Sequence, residues 1–313
     1  MAFGIFIYRV LEHFSWLVPY EKALVIILFI VWMAMIMLLI KDWIHGSFRK
    51  AHLKDPVNLF ALGTWIAGTS IVVNVLSQYF SSWLFGYRIL AIFNMIAWGI
   101  YILLCLQAYR VLFRTPMNHG VHGIILLTTV STQSLVLLLN TILSTVPYTI
   151  NTVLIGAGFG FYAMGFYLLF KRYISVRQWH FIDDWPASNC IVHGAMSITG
   201  LASVMSGVVD KSLILWVWIW VVCWFLLIEC AEIVRAFWRI RRFGPVTGIG
   251  EYHVTHWSRI FTFCMFYAFT KTLYWPDIQL FDVIRQGILD VLPWLVLILL
   301  INETLLYVKK RLT

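Results

Sequence analysis

Along these 313 residues a short apolar stretch flecked with polar residues is followed by a longer, cleaner one. The pairing recurs five times, with basic residues gathered after each pair. Each stretch comes near the ~20 apolar residues that an α-helix needs to cross ~30 Å of hydrocarbon. The chain therefore reads as an all-α integral membrane protein, with ten transmembrane helices built as five helical hairpins. Residues 1–313 form a single transmembrane domain on this reading. A hydrophobic share of 61% and a charged share of 12% agree with it, because a soluble domain carries about twice that charge. The first stretch holds Arg9 and Glu12 and runs into a second without a small-residue cleavage site, so it is expected to be a span and not a removed leader.

The odd stretches from the third onward start near residues 57, 121, 189 and 255, a steady step that points to a repeated hairpin. Even stretches are dense in Leu, Ile, Val and Trp, as in 23–40 and 213–228. Odd ones carry Gly, Ser, Thr, Asn and Gln, as in 63–70 and 128–134. Lipid-facing helices are uniformly apolar, whereas polar atoms need protein or water. An inner ring of odd helices forming a central pore, surrounded by the even ones, satisfies both demands. Plain helix–helix packing also enriches small residues and explains the pattern equally well. Sixteen Lys and Arg follow the even spans and five follow the odd ones. The positive-inside rule then places both termini in the cytoplasm of a multi-pass protein of the plasma or inner cell membrane. The net charge of +9 is topological on this account and calls for no nucleic acid.

Four segments carry a resemblance. Ala67-Gly68-Thr69 lies in the third span. Asn118-His119-Gly120-Val121-His122-Gly123, followed by Ser131-Thr132-Gln133-Ser134, opens the fifth. Ile191-Val192-His193-Gly194-Ala195-Met196-Ser197-Ile198-Thr199 lies in the seventh, and Trp257-Ser258-Arg259-Ile260-Phe261-Thr262-Phe263-Cys264-Met265 in the ninth. In register on successive odd spans, these resemble the tellurite-resistance/dicarboxylate transporter family, which includes fungal malate and sulfite transporters and plant slow anion channels. The resemblance implies a homotrimer, a pore within each subunit for small anions, and a phenylalanine gate that maps onto Phe261. The chain departs from the family's pattern at Thr128 and Thr262, where the family has prolines that kink the inner helices, and at Cys264, where it has glycine.

Candidate pore-lining residues follow from polarity at depth. Arg9 is expected near mid-membrane, either adding positive potential to an anion path or paired with Glu12 three residues on. Arg259 opens the ninth span as a basic mouth, or snorkels to headgroups. His193 is either a packing residue or a pH-sensitive pore group. Thr69 belongs to the matched third-span motif. Thr132 and Gln133 offer neutral donors to a dehydrated anion, or bond a neighbouring odd span. Pairs such as His119–His122 and His253–His256 have no cysteine nearby, so no metal site is expected. No phosphate loop, dinucleotide fingerprint or hydrolase elbow occurs, so neither a cofactor nor an enzyme is expected; His193 with Cys264 is the only conceivable catalytic pair. The expected function is passage of a small anion (C4-dicarboxylate, sulfite, halide or nitrate) as a passive channel or secondary transporter. The rival is a non-conducting member of the same family that serves as a membrane partner.

Overall fold

The structure is a computed structural model that describes residues 1–115, 120–176, 180–273 and 279–312. Asn118, His119, Arg177 and Trp179 therefore lie outside the described residues. All regular structure among the described residues is helical. The N-terminal segment is uneven: α1 (Ala2–Ile5) widens into a π-helical turn at Phe6–Val10 and tightens into a 3-10 turn at Leu11–His13. There follow α2 (Glu21–Ile44), α3 (Gly63–Tyr79), α4 (Leu84–Arg114), α5 (Leu127–Ile142) and α6 (Tyr148–Ser175). The chain continues with α7 (Ile191–Ser206), α8 (Lys211–Ile249), α9 (His256–Thr272) and α10 (Gln279–Leu312).

Boundaries follow local chemistry. Asp55 accepts the Val57 N–H at 2.9 Å ahead of Pro56, and Asp210 accepts that of Ser212 at 2.8 Å to open α8. Gly207, at φ 66°, closes α7 in the left-handed conformation that a side chain resists. Gly244, at φ 77° and followed by Pro245, breaks α8, and the chain folds back so that the Arg239 Nε–H donates to the Gly248 carbonyl at 2.8 Å.

Among the described residues seven stretches are long and apolar enough to cross a membrane: Val18–Ile44, Pro56–Tyr79, Ser81–Arg114, Gly123–Ile142, Tyr148–Ser175, Lys211–Ile249 and Gln279–Leu312. The other three expected spans are shorter. Residues 2–13 change helix type twice, and α7 and α9 have 16 and 17 residues, about 25 Å each. Two of these short elements are among the most enclosed in the molecule, since α7 is buried from Ile191 to Ser203 and α9 from Ile260 to Thr270. A helix wrapped by others need not meet the full hydrocarbon thickness with its own apolar surface.

Burial separates the two classes of helix. The Gly123–Ile142 stretch is 89% buried, whereas Val18–Ile44 is 11% buried and presents Ile, Met, Phe and Leu outward. A soluble protein does not expose such a surface; lipid accepts it. The buried elements pack in a closed circuit: α3 on α5, α5 on α7, α7 on α9, α9 on the N-terminal segment, and that segment on α3. Each of the others lies against a member of the circuit, with α2 on α3, α4 on α3 and α5, α6 on α5 and α7, α8 on α7, and α10 on α9.

Indole N–H groups fasten these outer helices to the circuit. Trp32 of α2 donates to the Thr69 hydroxyl at 3.3 Å, Trp98 of α4 to Thr132 at 3.0 Å, and Trp218 of α8 to Thr270 at 3.0 Å. An interhelical hydrogen bond in a membrane averages about 0.6 kcal/mol. Trp98→Phe is expected to lower stability in detergent by roughly 0.5–1.5 kcal/mol in a thermal-unfolding assay. Trp216→Phe, at a side chain 66% exposed, is expected to leave it unchanged.

Candidate functional site

The segments that stand out in the sequence meet in space at two close joints. In the first, the turn entering α5 lies against the turn entering α7. The Gly123 N–H donates to Asn189 Oδ1 at 3.1 Å, the Asn189 amide donates to the Tyr173 hydroxyl at 2.6 Å, and Ser188 Oγ bonds His122 Nδ1 at 2.8 Å. A Cβ on Gly123 would stand 2.1 Å from the Ser188 carbonyl oxygen. In the second joint α7 crosses α9, where a Cβ on Gly194 would stand 2.1 Å from the Thr262 methyl. Gly123 and Gly194 are thus explained by the close approach of the neighbouring element. Thr262 itself donates to the Arg259 carbonyl at 2.9 Å, and Thr128 to that of Ile125 at 3.0 Å, so both positions remain within regular helix.

Several of the expected pore-lining groups are engaged by neighbouring helices. The hydroxyls of Thr69 and Thr132 are held by Trp32 and Trp98, on the side of the outer helices. Gln133 donates to the Ile155 carbonyl of α6 at 3.2 Å and lies over Gly158, while its Oε1 has no partner. These three are bound to outer, even helices, whereas the packing alternative for Thr132 and Gln133 placed the bond on a neighbouring odd span. His193 is fully buried, edge-on to Phe225 of α8 at 5.3 Å, and neither ring nitrogen bonds anything, Cys264 included. His193 therefore meets no water here, contrary to the expectation of a titrating pore group. Replacing it by Phe removes two unbonded buried polar atoms, so His193→Phe is expected to match or exceed the wild type in thermal stability. A fall of several degrees would mean that a partner holds the ring.

Arg9 does not pair with Glu12 and lies beside the C-terminal end of α7. Glu12 is engaged by Lys271 at the C-terminal end of α9. Arg9 donates to its neighbour Tyr8 at 3.1 Å and approaches the Met205 sulfur near the end of α7, with Nε buried and unpartnered. It carries no carboxylate partner among the described residues. At the same end of the bundle Tyr79 donates to Glu21 at 3.1 Å and Arg285 to the Thr270 carbonyl at 3.3 Å.

Phe261 is 1% exposed and enters no ring contact among the described residues. Phe263, about 200° round the same helix, packs edge-on against Phe225 at 5.2 Å. Gly68 of α3 is the unusual neighbour in the circuit. It is buried, yet a Cβ placed on it would meet no atom of another element within 4 Å. Open space therefore lies where its side chain would begin.

The opposite, basic end of the bundle holds a cavity of 770 Å³ between α8, α9, α10 and the loop ahead of α7. Arg259, Arg239, Arg172, Glu232 and Glu303 contribute to its wall. Arg259 pairs with Glu229, Glu232 accepts from the Trp185 indole at 2.8 Å and from Arg235 at 3.3 Å, and His256 lies 3.1 Å from Glu303. Burial, then the charges of His256, Lys310, Arg235 and Arg239, hold the nearby His253 below the usual imidazole range. Sequence reasoning missed this cavity because its groups come from segments spread from His122 to Glu303. It counted Arg172 only among the basic residues that follow the even spans. Arg172 is 2% exposed and donates to the carbonyls of Val121 and Asp184, tying the end of α6 to both entry turns. Among the described residues no three His, Cys, Asp or Glu are placed to hold a metal, and the five cysteines are free, with Cys223 and Cys230 exposed.

Compared with protein-family models and with curated proteins, the chain matches none.

Proposed function

We propose that this protein carries a small anion across a membrane, as a passive channel or secondary transporter, along the axis of the circuit formed by the N-terminal segment, α3, α5, α7 and α9. On this reading the elements are ten spans, five inside five, with the basic end and both termini cytoplasmic, and the assembly is a homotrimer of the tellurite-resistance/dicarboxylate transporter type. Phe261 is its gate, Arg9 stands at one mouth and Arg259 at the other. The observation that carries the reading is the open space beside buried Gly68, on one helix of a closed circuit of polar-flecked helices flanked by apolar ones. Arginine at both ends favours anions over cations.

Purified protein in liposomes is expected to pass malate, sulfite or nitrate above background. Gly68→Leu directs a branched side chain into that space, where its Cβ meets no atom within 4 Å, and is expected to lower flux at least several-fold in protein that stays folded. Undiminished flux in that variant would move the path elsewhere.

The non-conducting alternative draws on the inner hydroxyls. Ser70 and Ser134 bond each other at 3.2 Å, and Ser197, Thr199 and Ser203 bond their own helix four residues back. Background flux for every anion, in folded wild-type protein, would decide for it.

A further inference from the structure

Arg259 is the cation placed between the basic-end cavity and the buried circuit. It forms part of the cavity wall, and Ile260 and then Phe261 follow it along α9. Its guanidinium is engaged from α8 by Glu229 and lies over the Phe263 ring, 5.6 Å from the centroid. Glu229 is 9% exposed. Among the described residues its Oε1 is buried without a partner, as is Nε of Arg259. The two groups thus meet through one oxygen and one nitrogen, and the second half of a bidentate pair is unmade. A planar guanidinium already engaged by a carboxylate on one side, and open to a cavity on the other, is shaped for oxyanions.

We propose that Glu229 is a built-in competitor for the transported anion: its carboxylate occupies the guanidinium of Arg259 that a planar oxyanion, a carboxylate or nitrate, uses on entry. This rests on the anion-transport reading above. Entry then breaks the Arg259–Glu229 pair and forms an Arg259–substrate pair. A buried carboxylate without its counter-charge is strongly disfavoured, so the displaced Glu229 takes a proton from cavity water and becomes a neutral acid. The sign follows. Acid on this side neutralises the competitor and raises anion entry, while alkali restores the internal pair and lowers it. A spherical halide matches the fork less well than a planar oxyanion does.

Other groups around the pair are already engaged or uncharged. Glu232, on α8 itself, is held by Trp185 and Arg235. From the α7 side the Cys190 thiol bonds Ser258 at 3.4 Å, and His193 is enclosed by Phe225 and Phe263. From α10, Glu303 is engaged by His256.

The test uses the full chain in liposomes with nitrate, which keeps its charge across the pH range, and chloride as the spherical comparison. Wild-type nitrate flux is expected to rise several-fold as the basic-end side is taken from about pH 7.5 to 5.5, spanning the reach of a perturbed carboxyl. Glu229→Gln keeps the shape and removes the charge. It is expected to lower the half-saturating nitrate concentration several-fold and to flatten the pH response. Arg259→Lys keeps the charge and loses the fork, and is expected to lose preference for nitrate over chloride. A wild type indifferent to acid, or a Glu229→Gln variant with wild-type half-saturation and pH response, overturns the competitor and leaves the transport reading standing. Folded wild type that passes none of nitrate, malate or sulfite overturns both. Should Glu229→Gln fail to fold, the wild-type pH response and the selectivity of Arg259→Lys decide.

Discussion

Phe261→Ala is expected to raise anion flux several-fold with selectivity little changed, and Phe263→Ala to leave flux per folded molecule unchanged. The two rings sit two residues apart on α9 and therefore on opposite faces. Phe263 is committed to packing, edge-on to Phe225 and beneath Arg259. Its truncation leaves a cavity against α8 and costs about 3–5 kcal/mol. Phe261 is equally buried but pairs with no ring among the described residues. A bulky aromatic across a narrow polar passage excludes water and blocks ions by dewetting as well as by size. Its removal also costs packing, so flux is normalised to folded protein recovered after size-exclusion chromatography. Opening by Phe263→Ala with Phe261→Ala silent would put the path on the α8 side of α9.

The largest loss of stability is expected from a single methyl. In Gly123→Ala the added carbon would stand 2.1 Å from the Ser188 carbonyl oxygen and 2.9 Å from Asn189 Cα. Both are backbone atoms, which cannot swing aside as a side chain can. The turns entering α5 and α7 would have to separate, breaking the Gly123–Asn189 hydrogen bond with them. Overpacking costs about 1–3 kcal/mol where side chains yield, and more where they cannot. Little folded protein is expected from this variant. Gly156→Ala, whose added carbon meets nothing within 4 Å, is expected to be neutral or to gain up to about 1 kcal/mol from helix propensity. Wild-type yield and stability in Gly123→Ala would show that the joint is wrongly placed.

Hydropathy alone determined that the chain is helical and multi-pass, because a buried backbone in lipid must satisfy its own hydrogen bonds and leaves few alternatives to helix. It also separated the two classes of helix. A side chain facing lipid has no polar partner, so α2 had to be apolar, while the Ser, Thr and Gln run of α5 had to be enclosed. Direction within the enclosure was another matter. Thr69, Thr132 and Gln133 are polar at depth whether they face an axis or an outer helix, and only packing showed Trp32, Trp98 and Ile155 as their partners. Pairing at a distance was equally hidden. Arg9 and Glu12 are three residues apart, yet Glu12 meets Lys271, because the uneven helix at 6–13 turns the two side chains apart. Glu229 reaches Arg259 across thirty residues, and Arg172 is buried although it sits in a basic run. Side-chain periodicity tells which face of a helix is polar. It does not tell which neighbour that face meets, since long-range contacts depend on how the helices are arranged around one another, and a one-dimensional pattern leaves that arrangement open.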